Sequence, residues 1–589
     1  MPPSDPPPSR RRLALPAWPR WAWVLAGIGG AIAVLLLILA TFDFGLFRGT
    51  AERRLSDTLG RRVTIGGIDR LDAISFAPRL RLSDVRIAQP RWAGTGDMVV
   101  LREAVVRVPV LEALFGRLRP SLLSVTNARV ALVHDEDERA NWQSDEKTER
   151  KDGPGPDLTT IILRDVRFTL DDRRRKLRLS GSATSDAQGV RVGASGTHRG
   201  TPAEMSLTGT PAIGGTADKP WPFRIVFASS LARLALAATA ERPLDFSAFA
   251  GTASASARDL KFLDDILLIG LIDTQPIRAS ARLARKDDRW ELTRARLKAG
   301  RSDAAGTIVV DRQDGRAKVE ARLRSAAFDF DDLNNDAGLA RAAAARARIG
   351  DRIVTGTPID LAKLRDLDAR LSFKAARLVS DKPSILRSLD VEARLDHATL
   401  TVAPIIFGLT HGRLEGRGVV THPEGQGKPL LRLDLALVGG RIEDLVDNGM
   451  VAGPLRGLVR LTGRGETIRQ AVAASDGTVA LASRGGVVSR TAAEMLGRNL
   501  GAAFGLMLGG AETKTPLRCF AARFTMRDGT LRPTLFTIDS GVMRADGRGA
   551  IDMDSERVAL TLDGRSKHPG LVRLPAPIHV SGTLSHPEM

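Results

Sequence analysis

Eight histidines, one cysteine and a few adjacent acids are the residues that could do chemistry, and their spacing limits what they can do. His134, His198, His397, His411, His422, His568, His579 and His586 are scattered, with no His-Glu-x-x-His among them. No helix face therefore presents two imidazoles to a zinc ion, and all eight read as surface histidines. The single Cys519 excludes an internal disulfide and any zinc site built on cysteines. Asp331-Asp332 would suit metal or acid–base work only if both carboxylates converged. Neighbours on a strand face opposite ways, so the pair reads as capping or solvated groups. Asp84 and Asp165, each followed by valine, read as turn residues. With no P-loop and no Gly-x-Ser-x-Gly, nothing here suggests an enzyme, a cofactor or a metal site.

Charge offers a second kind of chemistry. Lys plus Arg number 87 against 68 acids, a formal net charge of +19, and Arg173, Arg174, Arg175 and Lys176 form a basic run. Aromatics are only 4% and tyrosine is absent, so the arginines lack stacking platforms for bases, and no nucleic-acid partner is expected. Anionic lipid head groups or acidic envelope polymers account for the same charge.

The elements that carry these residues must be many and short. A chain of 589 residues is too long for one ordinary core, and 57 Gly with 31 Pro break its elements often. Hydrophobic residues at 43% exclude global disorder, and the scarcity of aromatics makes the core aliphatic. Residues 1–20 are a basic, Pro-rich tail. Trp21 to Phe42 then runs for 22 residues without a charge. As a helix it spans about 33 Å, enough for a hydrocarbon layer of about 30 Å. Trp21, Trp23 and Phe42 sit at its ends, where aromatic rings favour the interface, so it reads as a transmembrane anchor. Its apolar region is too long for a cleaved signal peptide. Arginines flank it on both sides, which leaves its orientation open.

Beyond the anchor the dominant signal is a period of two. Ile277, Ala279, Ala281 and Leu283 alternate with Arg278, Ser280 and Arg282; Ala317, Val319, Ala321 and Leu323 alternate with charged residues; Leu431, Leu433, Leu435 and Leu437 do the same around Arg432 and Asp434. Each run predicts a strand with one apolar and one charged face. Asp-Gly at 314–315, 476–477, 528–529, 546–547 and 563–564 predicts antiparallel hairpins. Gly-Arg-Gly at 416–418, 463–465 and 547–549 reads as a structural repeat, with bulges that bend the sheet.

Three segments interrupt the pattern. Asp135 to Asp157 is crowded with charge and reads as a solvated linker; Ala337 to Arg348 is Ala/Arg-rich, a short exposed helix or an insert. Gly497, Gly501, Gly505 and Gly509 form a stripe on a helical pattern, suited to close packing on the sheet or to membrane association. The uncharged part, Asn499 to Gly510, is too short to span a bilayer, which favours the sheet.

Several motifs, in order, resemble the AsmA family of bacterial envelope proteins. They are Leu82-Ser83-Asp84-Val85-Arg86-Ile87 with Pro90, Ala104-Val105-Val106-Arg107-Val108, and Asn141-Trp142. Trp290-Glu291-Leu292, Gly300-Arg301-Ser302-Asp303 and Phe328-Asp329-Phe330-Asp331-Asp332-Leu333 follow in the middle. Leu517-Arg518-Cys519-Phe520, Asp528-Gly529 and Ile578-His579-Val580-Ser581-Gly582-Thr583-Leu584 close the chain. The resemblance implies an inner-membrane anchor, a large periplasmic domain, and a role in outer-membrane assembly and phospholipid traffic. It also implies kinship with bridge-like lipid-transfer proteins, whose long β-sheet curls into an apolar groove.

The expected fold is therefore mainly β: a single N-terminal transmembrane helix, then an elongated, curled antiparallel sheet forming an apolar groove, with a few short helices. The expected divisions are a tail (1–20), the anchor (21–42), an N-terminal β unit (43–134), a charged linker (135–157), a middle groove segment (158–336), the Ala/Arg insert (337–357) and a C-terminal groove segment (358–589). Ile277, Ala279, Ala281, Leu283, Val319, Leu323, Leu431, Leu433, Leu435 and Leu437 are the candidate groove residues, and phospholipids and the inner membrane the expected partners. Outer-membrane or assembly proteins at the C-terminal end are further candidates. The alternative function is a scaffold or regulator of outer-membrane protein insertion that carries no lipid.

Overall fold

The computed structural model describes residues 48–588 apart from several stretches, the longest being 108–121, 144–159, 497–513 and 569–576. The anchor 21–42, with Trp21, Trp23 and Phe42, and the glycine stripe at 497–509 lie outside the described residues. Among those described, no helix is long and apolar enough to cross a membrane. Strands dominate and helices are few and short. The chain divides into two compact units: the residues through Gly200 with Ser206–Lys219, and Thr201–Met205 with Pro220–Met589. This differs from the expected divisions, which ended the first unit at 134 and broke the rest at 337–357.

The first unit begins with α1 (Arg48–Leu59), followed by β1 (Val63–Thr64), β2 (Gly67–Arg70), β3 (Arg79–Ala88), β4 (Asp97–Arg107), β5 (Leu122–His134), β6 (Thr160–Asp172), β7 (Leu177–Asp186) and β8 (Gly189–His198). β1 and β2 both pair with β3, and β3, β4 and β5 follow antiparallel. β5 and β6 run parallel, so the chain between them must cross back. The segment from Asp135 is that crossover, and its first residues are built in: Asp135 and Asn141 are buried. Asn141 Oδ1 accepts from Val133 N, and Nδ2 donates to Gln89 Oε1 and the Ala131 carbonyl. A solvated linker thus does not describe Asp135, Ala140 and Asn141, although Glu136, Asp137 and Arg139 between them are exposed. Asp84 and Asp165 are not turn residues either. They lie inside β3 and β6 with φ of 47° and 50°, as does Asn127 of β5 at 56°. The pairs Ser83–Glu103–Thr126–Arg164 and Val85–Leu101–Ala128–Val166 flank these positions, which places them in one line across the sheet. Short polar side chains tolerate the left-handed region, so Asp and Asn are suited to this line.

β9 (Thr201–Gly209) carries the chain into the second unit. There follow β10 (Trp221–Ser229), β11 (Ala232–Arg242), β12 (Asp245–Ala257), α2 (Leu260–Leu267), β13 (Ile277–Lys286), β14 (Arg289–Ala299), β15 (Ser302–Gln313) and β16 (Arg316–Ser325). The crossover then holds β17 (Phe328–Asp329) and α3 (Asp336–Ile349) before β18 (Leu367–Ala375), β19 (Leu378–Val379), β20 (Leu386–Asp396), β21 (Thr399–Leu409), β22 (Arg413–Thr421) and β23 (Leu430–Arg441). Last come β24 (Val451–Ala452), β25 (Pro454–Arg464), α4 (Ile468–Ala473), β26 (Ser475–Arg484), β27 (Val487–Ser489), α5 (Arg490–Leu496), β28 (Lys514–Arg527), β29 (Thr530–Ser540), β30 (Met543–Asp552), β31 (Arg557–Ser566), β32 (Ile578–Gly582) and β33 (Pro587–Glu588).

Pairing is antiparallel except that β16 and β18, and the short β17 and β19, run parallel, so the fully antiparallel expectation fails at these pairs and at β5–β6. The Ala/Arg-rich segment is the mostly exposed helix α3, inside the crossover that the parallel pair requires. Because β16 and β18 are neighbours, residues 337–357 interrupt the chain without interrupting the sheet.

Of the Asp-Gly pairs, Asp528-Gly529 is a hairpin turn: Arg527 faces Thr530, and φ is 42° and 70° at the two central residues. Asp314-Gly315 lies outside the described residues, although the flanking Gln313 and Arg316 pair. The other three are corrections, for Asp476-Gly477, Asp546-Gly547 and Asp563-Gly564 lie inside β26, β30 and β31. The Gly-Arg-Gly elements at 416–418 and 547–549 pair without a shift with β23 and β31, whereas on their other edges the register shifts opposite them, between Val402 and Ile405 of β21 and between Leu531 and Thr537 of β29.

Candidate lipid-binding face

Strand register decides which side chains share a face. Starting from Phe223 of β10, successive cross-strand partners are Ala238, Gly251, Leu283, Leu292, Ile308, Ala321, Leu371 and Ala393. The row continues through Val402, Gly418, Leu433, Leu461, Gly477, Met526, Leu531, Ile551 and Val558. These 18 strands contribute no polar or charged side chain to the row. A second row, Leu323–Phe373–Val391–Ile405–Gly416–Leu435–Val459–Val479–Phe524, runs alongside it. The three sequence runs are therefore pieces of one apolar strip.

Cover over this strip is uneven. Ile277 is 2% exposed, packed with Ala232, Ala257 and Leu263 of α2. Leu431 is buried with Ile359, Leu361 and Ala471 of α4. Both candidates are thus sealed by the chain's own side chains, because α2 and the end of the long crossover lie over the strand ends. Ala279, Ala281, Leu283, Val319, Leu323, Leu433, Leu435 and Leu437 are half-buried, and Leu371 is 37% exposed. In the C-terminal strands the same row closes completely: Ala522, Phe524, Met526, Leu531, Ile551, Val558 and Leu560 form a buried cluster with Val472 of α4.

Two features of the strip were not found from the sequence. At its β10 end Trp221, Phe223, Phe246, Phe249 and Trp290 form a chain of ring contacts 5.1–6.1 Å apart, assembled by register from three strands. Arg285, the one charge among them, lies over the Trp290 ring at 4.7 Å. The second feature is a set of glycines on the strip. A Cβ at Gly251, Gly306, Gly416, Gly477 or Gly549 would come within 1.9–2.2 Å of a carbonyl oxygen on the neighbouring strand. At each of them the adjacent backbone rises onto the apolar side, which only glycine permits. Period-two reading had marked Gly416, Gly477 and Gly549 for their neighbours in sequence, without access to this contact.

The opposite face is ionic. Arg316 Nη2 pairs with Asp368 Oδ1 at 2.8 Å, Arg460 Nε with Asp434 Oδ1 at 3.4 Å, and Arg548 Nη1 with Asp563 Oδ2 at 2.6 Å. Hydrogen bonding from Arg316 holds the Asp368 carboxyl below the usual carboxylate range, against an opposing effect of partial burial. His397 and then Arg394 hold Asp396 low in the same way. Asp368, Asp396 and His397 bring ligand atoms within 4.8 Å of one another, but the two arginines already partner both carboxylates.

The remaining polar residues singled out in the sequence are structural. Asp332 is buried in a 3-10 turn, Phe330–Leu333, and accepts from Arg301 N, Ser302 N and Ser302 Oγ at 2.7–2.9 Å. His134, His198 and His422 are buried, contrary to the surface reading; the first two end strands and the third follows one. Arg173 to Lys176 form the β6–β7 turn, where Arg173 and Arg175 pair with Asp171 and Asp172.

The model of the AsmA family matches residues 21–160. AsmA family protein YhjG of Escherichia coli (strain K12) is 23% identical over an alignment of 640 positions, covering 96% of this chain and 92% of the relative. No solved structure matches. The N-terminal match covers Asn141-Trp142 and the left-handed Asp84 and Asn127 of the first unit, and the likeness to the relative extends over the sheet. Residues 21–160 thus match the AsmA family model, and nearly the whole chain is similar to a protein of that family.

Proposed function

We propose that this AsmA-type envelope protein holds phospholipid acyl chains on the uncovered middle of its apolar strip and passes them along it. Residues 21–42 anchor it in the inner membrane, and the strand-rich remainder stands in the periplasm. The role is carriage, without a chemical step. The observation that carries the reading is the uninterrupted apolar row whose central positions from Leu283 to Leu461, apart from the buried Gly418, are left half-buried or, at Leu371, exposed. A sheet with one aliphatic face normally requires a second layer. Among the described residues the helices pack at strand ends: Leu263 of α2 with Ile277, Ala471 of α4 with Leu395, Val420 and Leu431, and α5 against β27, β28, β30 and β31. Acyl chains fit that second layer, since each buried CH₂ contributes about 0.8 kcal/mol. The glycines at which backbone rises onto the apolar side favour a trough over a flat sheet. An aliphatic trough has no polar groups to read one tail from another, so selectivity for chain type is expected to be poor.

The test is site-specific photo-crosslinking in cells. A photoreactive residue at Leu433 or Leu371 is expected to capture phospholipid, whereas one at Met526 is not. A protein adduct at Leu433 without lipid would replace this reading with the scaffold alternative, in which outer-membrane or assembly proteins occupy the strip.

A further inference from the structure

A cleft of about 550 Å³ opens at the ends of β11–β14, lined by Arg233, Arg258, Arg278, Lys298, Ser230 and Ser256 among others. Register sets four of these side by side: Arg233 faces Ser256, Ser256 faces Arg278, and Arg278 faces Lys298. Two cations directly opposite each other on antiparallel strands repel and destabilise the pair unless something negative lies between them. Elsewhere on the polar side acids perform that task, as Asp434 does for Arg417 and Arg460. Here none does. Among the described residues, no carboxylate forms an ion pair with Arg233, Arg258, Arg278 or Lys298. The acid opposite Lys298 is Asp303, and its carboxylate is turned to the backbone N–H groups of Ala326 and Ala327. Four unneutralised cations and two hydroxyls around one cleft are suited to a small anion with several acceptor oxygens. Guanidinium forks match the oxygens of phosphate in particular.

We propose that this cleft binds a phosphate-bearing anion, either free phosphate or the phosphodiester of a lipid headgroup. The inference stands on the cleft alone and does not require the acyl-chain reading. Two probes separate the sources: inorganic phosphate, and glycerophosphoglycerol, a diester headgroup without tails. Each is titrated calorimetrically into the full-length protein in a non-ionic detergent and phosphate-free buffer. Saturable one-to-one binding is expected for at least one probe, and the tighter probe identifies the source. Arg278→Gln and Lys298→Gln should each weaken that binding by about 10-fold or more, since each removes a charge-assisted contact. Arg460→Gln, on the same polar side but outside the cleft, should leave it unchanged. Melting offers a second reading that does not depend on a perfect ligand. Without ligand, Lys298→Gln should melt no lower than the parent, because it relieves repulsion, and it should lose the upward shift that the bound probe gives the parent. Absence of saturable binding for both probes at millimolar concentration would overturn the proposal. Equal weakening by Arg460→Gln would overturn it too, as diffuse charge attraction.

Discussion

Strands β13–β22 and strands β28–β31 present the same row of apolar residues, yet the first group leaves it half-buried and the second closes it into a core. Side-chain volume and available cover separate them. The central row contains Ala321, Ala393 and Gly418, which fill little space, and α2 and α4 pack at the ends of these strands, against Ile277 and against Leu395 and Val420. The C-terminal row contains Met526, Leu531 and Ile551, with Phe520, Phe524 and Phe536 beside them, and Val472 of α4 completes the layer. A binary pattern of apolar and polar positions is therefore not enough to make a core. Large groups on one strand must meet large groups on another, and a second layer must exclude water. The comparison also separates two roles for glycine. In the strip, Gly416 and Gly477 admit the neighbouring backbone, whereas Gly463 and Gly465 admit α4, whose Ala471 backbone would lie within 2.0–2.3 Å of an added Cβ.

The comparison can be broken most sharply by placing a charge in each region. Met526→Asp puts a carboxylate at a position 1% exposed and should destabilise the second unit by more than about 4 kcal/mol, read by chemical denaturation. Leu433→Asp should cost roughly 1 kcal/mol or less at its half-buried site, yet abolish co-purified phospholipid in native mass spectrometry. If both variants unfold alike, the central strip is a core and the proposed trough is wrong.

Truncation sharpens the same contrast with less violence. Met526→Ala should cost about 2–5 kcal/mol through the cavity it leaves, and Leu435→Ala much less, because lipid or water already fills that side. Gly416→Ala comes next. Its Cβ would lie 2.0 Å from the Asp434 carbonyl oxygen, so about 1–3 kcal/mol of overpacking is expected, with reduced lipid capture as the adjacent strands move apart. Gly418→Ala, with nearest atoms at 3.6 Å or more, is the matched control and should be close to neutral.

The smallest effect concerns the polar side of the central strands. Asp368 has its carboxyl lowered by Arg316, so its ion pair stabilises the fold fully above the ordinary carboxylate pKa of about 3.9 and is lost as pH falls through the lowered native value. The partners are 28% and 23% exposed, which limits the gain to about 1 kcal/mol. The difference in melting temperature between parent and Asp368→Asn should therefore shrink below pH 4 and be constant from pH 5 to 8. Lipid capture by the apolar side should not follow it.

Much of the fold was legible because alternation in single strands is local. Leu431 to Leu437 and Ile277 to Leu283 each declare a face in a few residues, and Asp528-Gly529 declares its turn by needing positive φ twice. The errors arose where one dipeptide serves two purposes. Asp546-Gly547 alternates an outward acid with an inward glycine just as well as it forms a turn, and here the glycine leaves room for the Phe536 ring. Asp84 and Asp165 were misread for the same reason, since left-handed backbone occurs inside strands as well as between them. The histidines were misread because eight scattered positions say nothing of which strand ends are covered.

By itself, the sequence determined that most of this chain is strand, that its strands have one aliphatic and one charged side, and that residues 21–42 are apolar enough to span a bilayer. These follow from period and composition, which are properties of neighbours along the chain. Only the tertiary structure decided that distant runs share one row, that two connections cross back to make parallel pairs, and that Ile277 and Leu431 are sealed while Leu433 is not. Register, cover and the meeting of unpaired cations at Arg278 and Lys298 depend on residues brought together from separate strands, and no pattern within one strand encodes them.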